Sequence, residues 1–252
     1  HDVALPYGRT GLMLLLEALG LKDRDVICPA YTCVVVAHAI VLSGNRPVFV
    51  DCAEDGFNMD LDRAEAAITN RTGVLIATSL FGYPVDLDRL DGIRRRNPGL
   101  FVVQDCAHSF AAEWQGRPVQ RAGDAAFFGL NISKLITSVF GGMVTTDDTD
   151  LAGRLRAVRG RQLSAPAWHK AWRRRLYLTA VYPAFSGPVY GMVNRLERIG
   201  LLDRFVKYYD DAVIDMPADH LEAMTGVEAR VGERQLRRYQ GRVGRRRDIA
   251  AL

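Results

Sequence analysis

The chain has 252 residues, with 33 Lys and Arg against 29 Asp and Glu, and a formal net charge of +4 at pH 7. Hydrophobic residues make up 48% and charged residues 25%, a composition that excludes a disordered or collagen-like chain. The four cysteines are too few for a disulfide scaffold, and none are spaced as C-x-x-C, so the sequence predicts no metal site. The charge is uneven, because residues 1–150 have a net charge of −6 and residues 151–252 one of +10.

The first 150 residues alternate short apolar runs with helical patterns. The patterns predict helices at 12–19, 34–42, 60–68 and 86–96, with Gly20 as a C-cap and Asp60 as an N-cap. They predict strands at 26–28, 47–51, 73–79, 100–104, 125–130 and 143–146. Strands separated by helices of about a dozen residues are typical of βαβ units. We therefore expect an α/β protein with a mainly parallel sheet.

The second part of the chain is basic and aromatic. A basic helix at 151–161 is followed by the W-R-R-R cluster at 172–175 and by 19 uncharged residues at 176–194; an amphipathic helical pattern returns at 219–252. Residues 172–198 fit either a peripheral membrane hairpin with basic flanks or an aromatic segment buried at a dimer interface. Pro183 and Pro188 disfavour a membrane-spanning helix.

The positive charge of this half does not by itself indicate nucleic-acid binding. No helix-turn-helix, zinc-ligand or RNP-like pattern accompanies it, and we expect no nucleic-acid partner. Phosphate-bearing small molecules or lipid headgroups explain the charge equally well, as does a solvated helix face.

Three short segments carry residues suited to chemistry. Asp105 ends an apolar strand and His108 follows three residues later, which places both at the ligand-binding carboxyl edge of a parallel sheet. Lys134 lies among apolar residues just past another strand, where a lowered pKa would favour a nucleophilic amine. Gly8-Arg9-Thr10 leads into a helix, whose N-terminus attracts anions. Each alone also has a purely structural explanation, as a turn cap, a snorkelling lysine or a helix cap.

Together, an amine, an acid and a phosphate-binding turn are the groups needed to hold pyridoxal 5'-phosphate. The lysine forms a Schiff base, and the acid keeps the pyridine nitrogen protonated so that the ring withdraws electrons. Beside that cation we expect a depressed pKa for Asp105.

At this point the sequence resembles the DegT/StrS family of pyridoxal-phosphate-dependent sugar aminotransferases, which have the aspartate-aminotransferase fold. The resemblance covers residues 7 to about 162 and returns weakly at 215–252. Its motifs are Gly8-Arg9-Thr10-Gly11-Leu12, Pro29-Ala30-Tyr31-Thr32, Pro47-Val48-Phe49-Val50-Asp51, Phe57-Asn58-Met59-Asp60, Phe81-Gly82-Tyr83-Pro84-Val85-Asp86, Asp105-Cys106-Ala107-His108-Ser109, Ser133-Lys134 and Gly141-Gly142-Met143-Val144-Thr145-Thr146.

The resemblance implies a role for each candidate residue. Lys134 is expected to be the Schiff-base lysine and the acid/base of catalysis, Asp105 the partner of the pyridine nitrogen and His108 the neighbour of the cofactor's phenolic oxygen. Gly8, Arg9 and Thr10 match the phosphate-binding turn. The implied activity moves an amino group, usually from glutamate, to a keto-sugar nucleotide for polysaccharide or antibiotic sugar synthesis. The implied assembly is a cytoplasmic homodimer with shared active sites.

Four positions depart from the family pattern. Gly129 stands where a phosphate-binding serine is common, Arg9 where a threonine is common, and Cys33 where an aromatic residue often stacks on the cofactor ring. Asp215-Met216-Pro217 falls where an Asn-x-Arg usually reaches the neighbouring subunit. These departures leave a second hypothesis open, a non-catalytic scaffold or regulatory subunit, and within enzymes an aminotransferase for a non-sugar ketone.

The expected organisation is a three-layer αβα large domain followed by two further segments. Residues 1–162 would bind the cofactor, 163–214 would form the aromatic and basic insert, and 215–252 would lead toward a small C-terminal domain. The chain starts at His1 and stops at Leu252 within a helical pattern, so we expect a piece of a longer protein.

Overall fold

The computed structural model describes residues 1–200 and 213–252 and contains a seven-stranded sheet and a two-stranded hairpin. The strands are β1 (Asp2–Leu5), β2 (Asp25–Pro29), β3 (Arg46–Val50), β4 (Thr72–Thr78), β5 (Phe101–Asp105), β6 (Glu113–Trp114), β7 (Arg117–Pro118), β8 (Ala125–Gly129) and β9 (Gly142–Thr145). The large sheet has the order β1-β9-β8-β5-β4-β2-β3. Strands β3, β2, β4, β5 and β8 are parallel, while β9 runs antiparallel to both β8 and β1. The mainly parallel sheet is therefore confirmed.

The described helices flank or follow this sheet. They are α1 (Gly8–Ala18), α2 (Val34–Leu42), α3 (Leu61–Ala66), α4 (Leu87–Arg96), α5 (Thr149–Gln162), α6 (Trp168–Val181), α7 (Gly187–Arg198), α8 (Gly226–Leu236) and α9 (Tyr239–Ala250). The cap predictions are confirmed: the Asp60 carboxylate accepts from the N–H groups of Asp62 and Arg63, and Gly20 ends α1 in the left-handed region.

Helices cover both faces of the sheet because successive strand residues face opposite ways. In β4, Val74 and Ile76 join a core with α1, α2 and α5, whereas Leu75 and Ala77 join a second core with α3 and α4. Near-continuous burial of β2 and β4 follows from this double coverage. The three-layer αβα architecture is confirmed.

The structure differs from the sequence predictions at several elements. Helix α1 begins at Gly8, four residues before the predicted start. The prediction missed this first turn because its residues show little apolar periodicity. Strand β1 and the β6–β7 hairpin were not predicted, since they are very short. The pattern at 219–252 is broken: turns precede α8, and α8 and α9 are separate helices.

The expected insert at 163–214 contains α6 and α7, joined by a 3-10 turn at Tyr182–Phe185, while its residues 201–212 lie outside the described part of the chain. Across residues 1–200 and 213–252, no helix has both the length and the apolar character needed to cross a membrane. Helix α6 packs against α8 rather than standing away from the fold.

Candidate active site

The candidate site lies at the carboxyl edge of the parallel strands. Thr78, the last residue of β4, is in register with Asp105, the last residue of β5, and Asp105 is in register with Phe127 of β8. The chain turns after each of these strands, so the loops that follow them meet at one edge. The edge predicted for Asp105 and His108 is confirmed by this topology.

Asp105 is a buried carboxyl group at the base of the site. Its Oδ1 accepts a hydrogen bond of 3.0 Å from the Ala107 N–H. Burial raises the pKa of Asp105 to about 6, and the Ala107 N–H and the Lys134 ammonium oppose that rise. The sequence led us to expect a depressed pKa for Asp105 beside a pyridine cation. In the chain without that cation, the pKa of Asp105 is raised instead. A cation in contact with this carboxyl group would favour its ionised form.

Lys134 lies in the loop that follows β8, where its N–H bonds the Asn131 carbonyl at 3.1 Å. Burial lowers the pKa of Lys134, while Asp105 and Cys33 act in the opposite direction. The lowered pKa predicted from its apolar neighbours is confirmed. A lower pKa increases the fraction of neutral amine, which is the nucleophilic form.

Three glycine backbones bring the start of α1 to this site. A Cβ atom on Gly8 would lie 2.8 Å from the Gly129 Cα, and one on Gly142 would lie 2.4 Å from the Gly8 nitrogen. Real Cβ contacts are never this short, so Gly8 and Gly142 are required by the close approach. A Cβ on Gly129 would instead have room, 4.0 Å from the Lys134 Cε. Gly129 thus connects the turn that opens α1 with the lysine loop.

The turn that opens α1 has backbone N–H groups and side chains that differ in their availability to an anion. The first N–H groups of α1 lack partners inside the helix and carry the positive end of its dipole. The Thr10 side chain is fully buried and its hydroxyl donates to the His220 carbonyl at 3.1 Å. The hydroxyl that the sequence assigned to a phosphate thus already has a protein acceptor. Arg9 is half-buried beside it.

His108 is held by an aromatic residue that the sequence analysis did not assign to the site. Its ring stacks on Phe81, with centroids 5.8 Å apart and planes 19° apart. Phe81 has a φ of +54°, which is rare for a bulky side chain and concentrates at functional sites. Burial and the Lys134 charge lower the pKa of His108, which favours a neutral imidazole. The motif Phe81-Gly82 was part of the resemblance, but its conformation has no local sequence signal.

A buried polar network fixes the residue before the turn. The Tyr7 hydroxyl donates to Asp219 Oδ1 at 2.5 Å and accepts from Arg174 at 2.9 Å. Arg174 also binds Asp219 at 2.6 Å and Glu228 at 2.9 Å, and its guanidinium lies 4.2 Å from the centre of the Phe140 ring. Burial strongly raises the pKa of Tyr7, so its hydroxyl stays protonated.

This network was not predicted, because Arg174 belongs to a basic cluster that resembles an exposed charge run. The sequence contains one weak sign of this network. The spacing of Thr225 and Glu228 is that of a capping box, and the structure contains a capping box there. Glu228 therefore serves both as a helix cap and as a partner of Arg174. The contacts dock α6 and α8 against the start of α1.

The donor set fits pyridoxal 5'-phosphate. The helix N-terminus at Gly8 can receive a phosphate, the buried Asp105 can receive a protonated ring nitrogen, and Lys134 offers an amine of lowered pKa. The burial of the Asp105 carboxyl group is the observation that tests the fit, because a buried carboxylate is stabilised by a cationic partner. Lys134 is close enough to both Asp105 and His108 for its charge to affect the pKa of each.

Comparisons with known proteins place the chain in a family. The chain is 37% identical to a GDP-perosamine synthase of Caulobacter vibrioides, over 64% of this chain and 43% of that protein. It is 34% identical to a UDP-4-amino-4-deoxy-L-arabinose–oxoglutarate aminotransferase of Shewanella sediminis, over 69% and 45%. A Streptococcus pneumoniae protein described as a sugar aminotransferase, solved in a PLP form, superimposes with a TM-score of 0.71 and 25% identity, covering 99% of this chain and 58% of that one.

The chain thus spans less than half the length of these two curated relatives. The model of the DegT/DnrJ/EryC1/StrS aminotransferase family matches residues 1–252. The sheet of the chain and its structural similarity to a sugar aminotransferase agree with that match. The chain belongs to the DegT/DnrJ/EryC1/StrS aminotransferase family.

Proposed function

We propose that this chain carries the cofactor site of a pyridoxal-phosphate-dependent aminotransferase that aminates a keto-sugar nucleotide. The observation that supports it most directly is that a buried carboxyl group, Asp105, and the partly buried amine of Lys134 lie at the carboxyl edge of the sheet, near enough for each charge to affect the other. When bound, pyridoxal phosphate supplies an electron sink for the bonds that break at the substrate carbon.

Lys134 has two tasks in this proposal. Its neutral amine would hold the cofactor, and in its free form the same amine would accept and return the proton at the substrate carbon. Both tasks require a lysine that loses its proton easily, which burial promotes here. The opposing effect of Asp105 limits that change, so the lysine can also return to its protonated form.

Asp105 and His108 orient the ring. The Asp105 carboxylate would keep the ring nitrogen protonated, and the Ala107 N–H orients the carboxylate. His108, in its neutral form, can donate to the phenolic oxygen while Phe81 keeps the imidazole plane in place. The N–H groups at Gly8, Arg9 and Thr10 would hold the phosphate, and Arg9 would add a positive charge.

The names of the relatives support the substrate and the donor. Two of them are named for the GDP- or UDP-linked amino sugar, and one name includes oxoglutarate, the keto acid that glutamate becomes when it loses its amino group. We therefore propose glutamate as the amino donor and a nucleotide-linked keto-sugar as the acceptor.

We also propose a homodimer that completes the site. Aromatic side chains stand exposed at the mouth of the site, where Phe57 contacts both Phe81 and Tyr83 with centroids 5.2 Å apart. Phe81 is 58% exposed and Tyr83 64% exposed in the single chain. Exposed apolar clusters of this kind are typical of protein interfaces. Sedimentation equilibrium would check the assembly, and a monomer at micromolar concentration would contradict it.

A cytoplasmic location follows from the same proposal. Cys28, Cys33, Cys52 and Cys106 are free thiols, as expected in a reducing compartment. Peripheral membrane contact through residues 172–198 is compatible with it, because such contact needs no spanning helix.

The decisive experiment is absorbance spectroscopy of the whole protein loaded with pyridoxal phosphate. We expect a visible band from the lysine-bound cofactor, and we expect glutamate to bleach it as 2-oxoglutarate appears. Lys134→Ala should abolish the band, whereas Lys22→Ala, which alters an exposed lysine, should leave it unchanged. An unchanged band in Lys134→Ala would overturn the assignment.

The same measurement distinguishes an active aminotransferase from the second hypothesis, a non-catalytic scaffold or regulatory subunit. A protein that binds the cofactor but shows no spectral change with glutamate or other amino acids would be a non-catalytic member of the family. Gly129, Cys33 and Asp215-Met216-Pro217, which depart from the family pattern, are the features that support that alternative. If the half-reaction occurs, a panel of keto-sugar nucleotides and cyclitol ketones identifies the acceptor class.

A further inference from the structure

Helix α6 presents an exposed apolar face. Trp168, Trp172 and Leu176 are spaced four residues apart, so they share one side of the helix. They are 80%, 57% and 66% exposed. We call these three residues the tryptophan face. Two exposed tryptophans and a leucine in a row are unusual on a solvated surface and typical of a binding surface.

The opposite side of α6 is anchored in the protein. Lys170 and Arg174 are buried; Lys170 donates to the Glu222 carbonyl at 2.9 Å, and Arg174 binds Glu228 and Asp219. Basic side chains therefore hold the helix by its polar underside and turn its apolar side outward. Rotating α6 to bury the tryptophans would break the ion pairs of Lys170 and Arg174. The fold therefore keeps the tryptophan face exposed.

The surroundings of the tryptophan face are strongly basic. Residues 151–196 contain nine Lys and Arg and no Asp or Glu. Arg173 and Arg175 are exposed beside the tryptophans, and the Arg175 guanidinium lies 5.4 Å from the centre of the Trp172 ring. The apolar face and the charge are thus parts of one surface.

A groove between α6 and α8 extends this surface. Four arginines line it, together with a single glutamate that pairs with one of them at 2.6 Å: Arg175, Arg230, Arg234, Arg237 and Glu233. Val227 and Val231 line it as well. We call it the arginine groove. Guanidinium groups beside apolar side chains suit a phosphate group attached to a hydrocarbon chain.

We propose that the tryptophan face and the arginine groove dock the protein on a membrane surface rich in anionic phospholipid. Tryptophan favours the interface between headgroups and acyl chains, and arginines interact with lipid phosphates. A second copy of the chain is a poorer occupant, because a symmetric contact would place one strongly basic surface on another. Nucleic acid is also poorer, since Leu176 has no ring to stack on a base.

The test is co-sedimentation of the whole protein with vesicles. We expect binding to phosphatidylcholine vesicles that contain about 30 mol % phosphatidylglycerol, and weak binding to phosphatidylcholine alone. Added salt should weaken the binding. Trp168→Ser, Trp172→Ser and Leu176→Ser combined should lower the affinity about tenfold or more. The matched control is Leu236→Ser with Ile249→Ser, which removes exposed apolar side chains from the basic helices α8 and α9 and should have no effect.

A second readout is the tryptophan fluorescence of the protein with its tryptophan face intact. In Trp114→Phe, the remaining tryptophans are Trp168 and Trp172, and their emission should shift to shorter wavelength with anionic vesicles. Equal vesicle binding by the triple variant and the parent would overturn the proposal. An emission shift with a single-stranded oligonucleotide but not with vesicles would also overturn it. So would self-association of the parent protein that is absent in the triple variant. None of these readouts requires aminotransferase activity, so the two proposals can fail separately.

Discussion

The Arg174 guanidinium donates a hydrogen bond of 2.9 Å to the hydroxyl of Tyr7, a residue 167 positions away in the sequence. Tyr7 directly precedes the turn that opens α1. The contact therefore connects a helix from the basic half of the chain to the proposed phosphate site in the acidic half. It also leaves Arg174 as the common partner of Asp219 and Glu228.

Arg174→Met should destabilise the protein by about 3–5 kcal/mol, because Glu228 would remain buried without its cation. The neighbouring Arg173 is exposed, and Arg173→Met should change stability by less than about 0.5 kcal/mol. Urea unfolding of both variants checks the difference. Equal midpoints would show that the buried network contributes nothing to stability.

The stability of the cofactor-free protein should depend on Asp105 between about pH 4 and pH 6. Folding raises the pKa of this carboxyl group from 3.8 to about 6, so the folded chain binds more protons in that window. Stability should therefore fall as the pH rises through it, by roughly 3 kcal/mol in total, and then level off. Asp105→Asn should remove that part of the pH dependence. The check is urea unfolding at several pH values, and identical pH profiles for parent and variant would contradict it.

Gly142→Ala should be strongly destabilising. The new Cβ would lie 2.4 Å from both the Tyr7 carbonyl carbon and the Gly8 nitrogen, so a strand or a helix start would have to move. Overpacking of this kind costs about 3 kcal/mol. Gly153→Ala is the control, since nothing lies within 4 Å of a Cβ at that position in α5. It should stabilise the helix by up to about 1 kcal/mol in thermal unfolding.

Gly129→Ser should strengthen cofactor binding without disturbing the fold. A Cβ at this position meets only the Ala107 Cβ at 3.8 Å and the Lys134 Cε at 4.0 Å, which are ordinary contacts. The added hydroxyl could donate to the phosphate, and a hydrogen bond to a charged group gives about a tenfold gain in affinity. Fluorescence titration with pyridoxal phosphate measures it, with Gly129→Ala as the matched control. Equal affinities of the two variants would contradict a phosphate near Gly129.

Phe81→Gly should raise the pKa of His108 toward its ordinary value of 6.5, because the stacked ring contributes to burial of the imidazole. Glycine adopts a φ of +54° without strain, so the loss in stability should be small, about 1 kcal/mol or less. NMR titration of the imidazole is the measurement. Tyr83→Ala removes an exposed ring that contacts Phe57 instead, and it should leave the pKa of His108 unchanged.

Local patterns predicted the sheet and much of the site. Strands and helices before residue 150 follow from apolar periodicity, and Asp105 and His108 follow from the rule that parallel strands end at one edge. Lys134 was recognisable from its apolar neighbours, because those neighbours are adjacent in the sequence. For these features, local sequence and tertiary structure agree.

Tertiary contacts explain what the patterns missed. Arg174 reads as a surface residue within an exposed cluster, and only its distant partners Tyr7 and Asp219 make its burial favourable. Phe81 would not be assigned a left-handed backbone from its own preference, since that conformation depends on the loop and on His108. Such contacts carry no periodic signal.

The close approach of Gly142 to Gly8 also determines when the site can form during synthesis. The two residues are 134 positions apart, so the turn that opens α1 leaves the ribosome long before the strand that must pack on it. Asp219 and Glu228, which hold that turn through Tyr7 and Arg174, emerge later still. A nascent chain that has passed Gly142 but has not reached Glu228 would therefore contain every proposed residue of the cofactor site without its final support, and cofactor capture should come late in biogenesis.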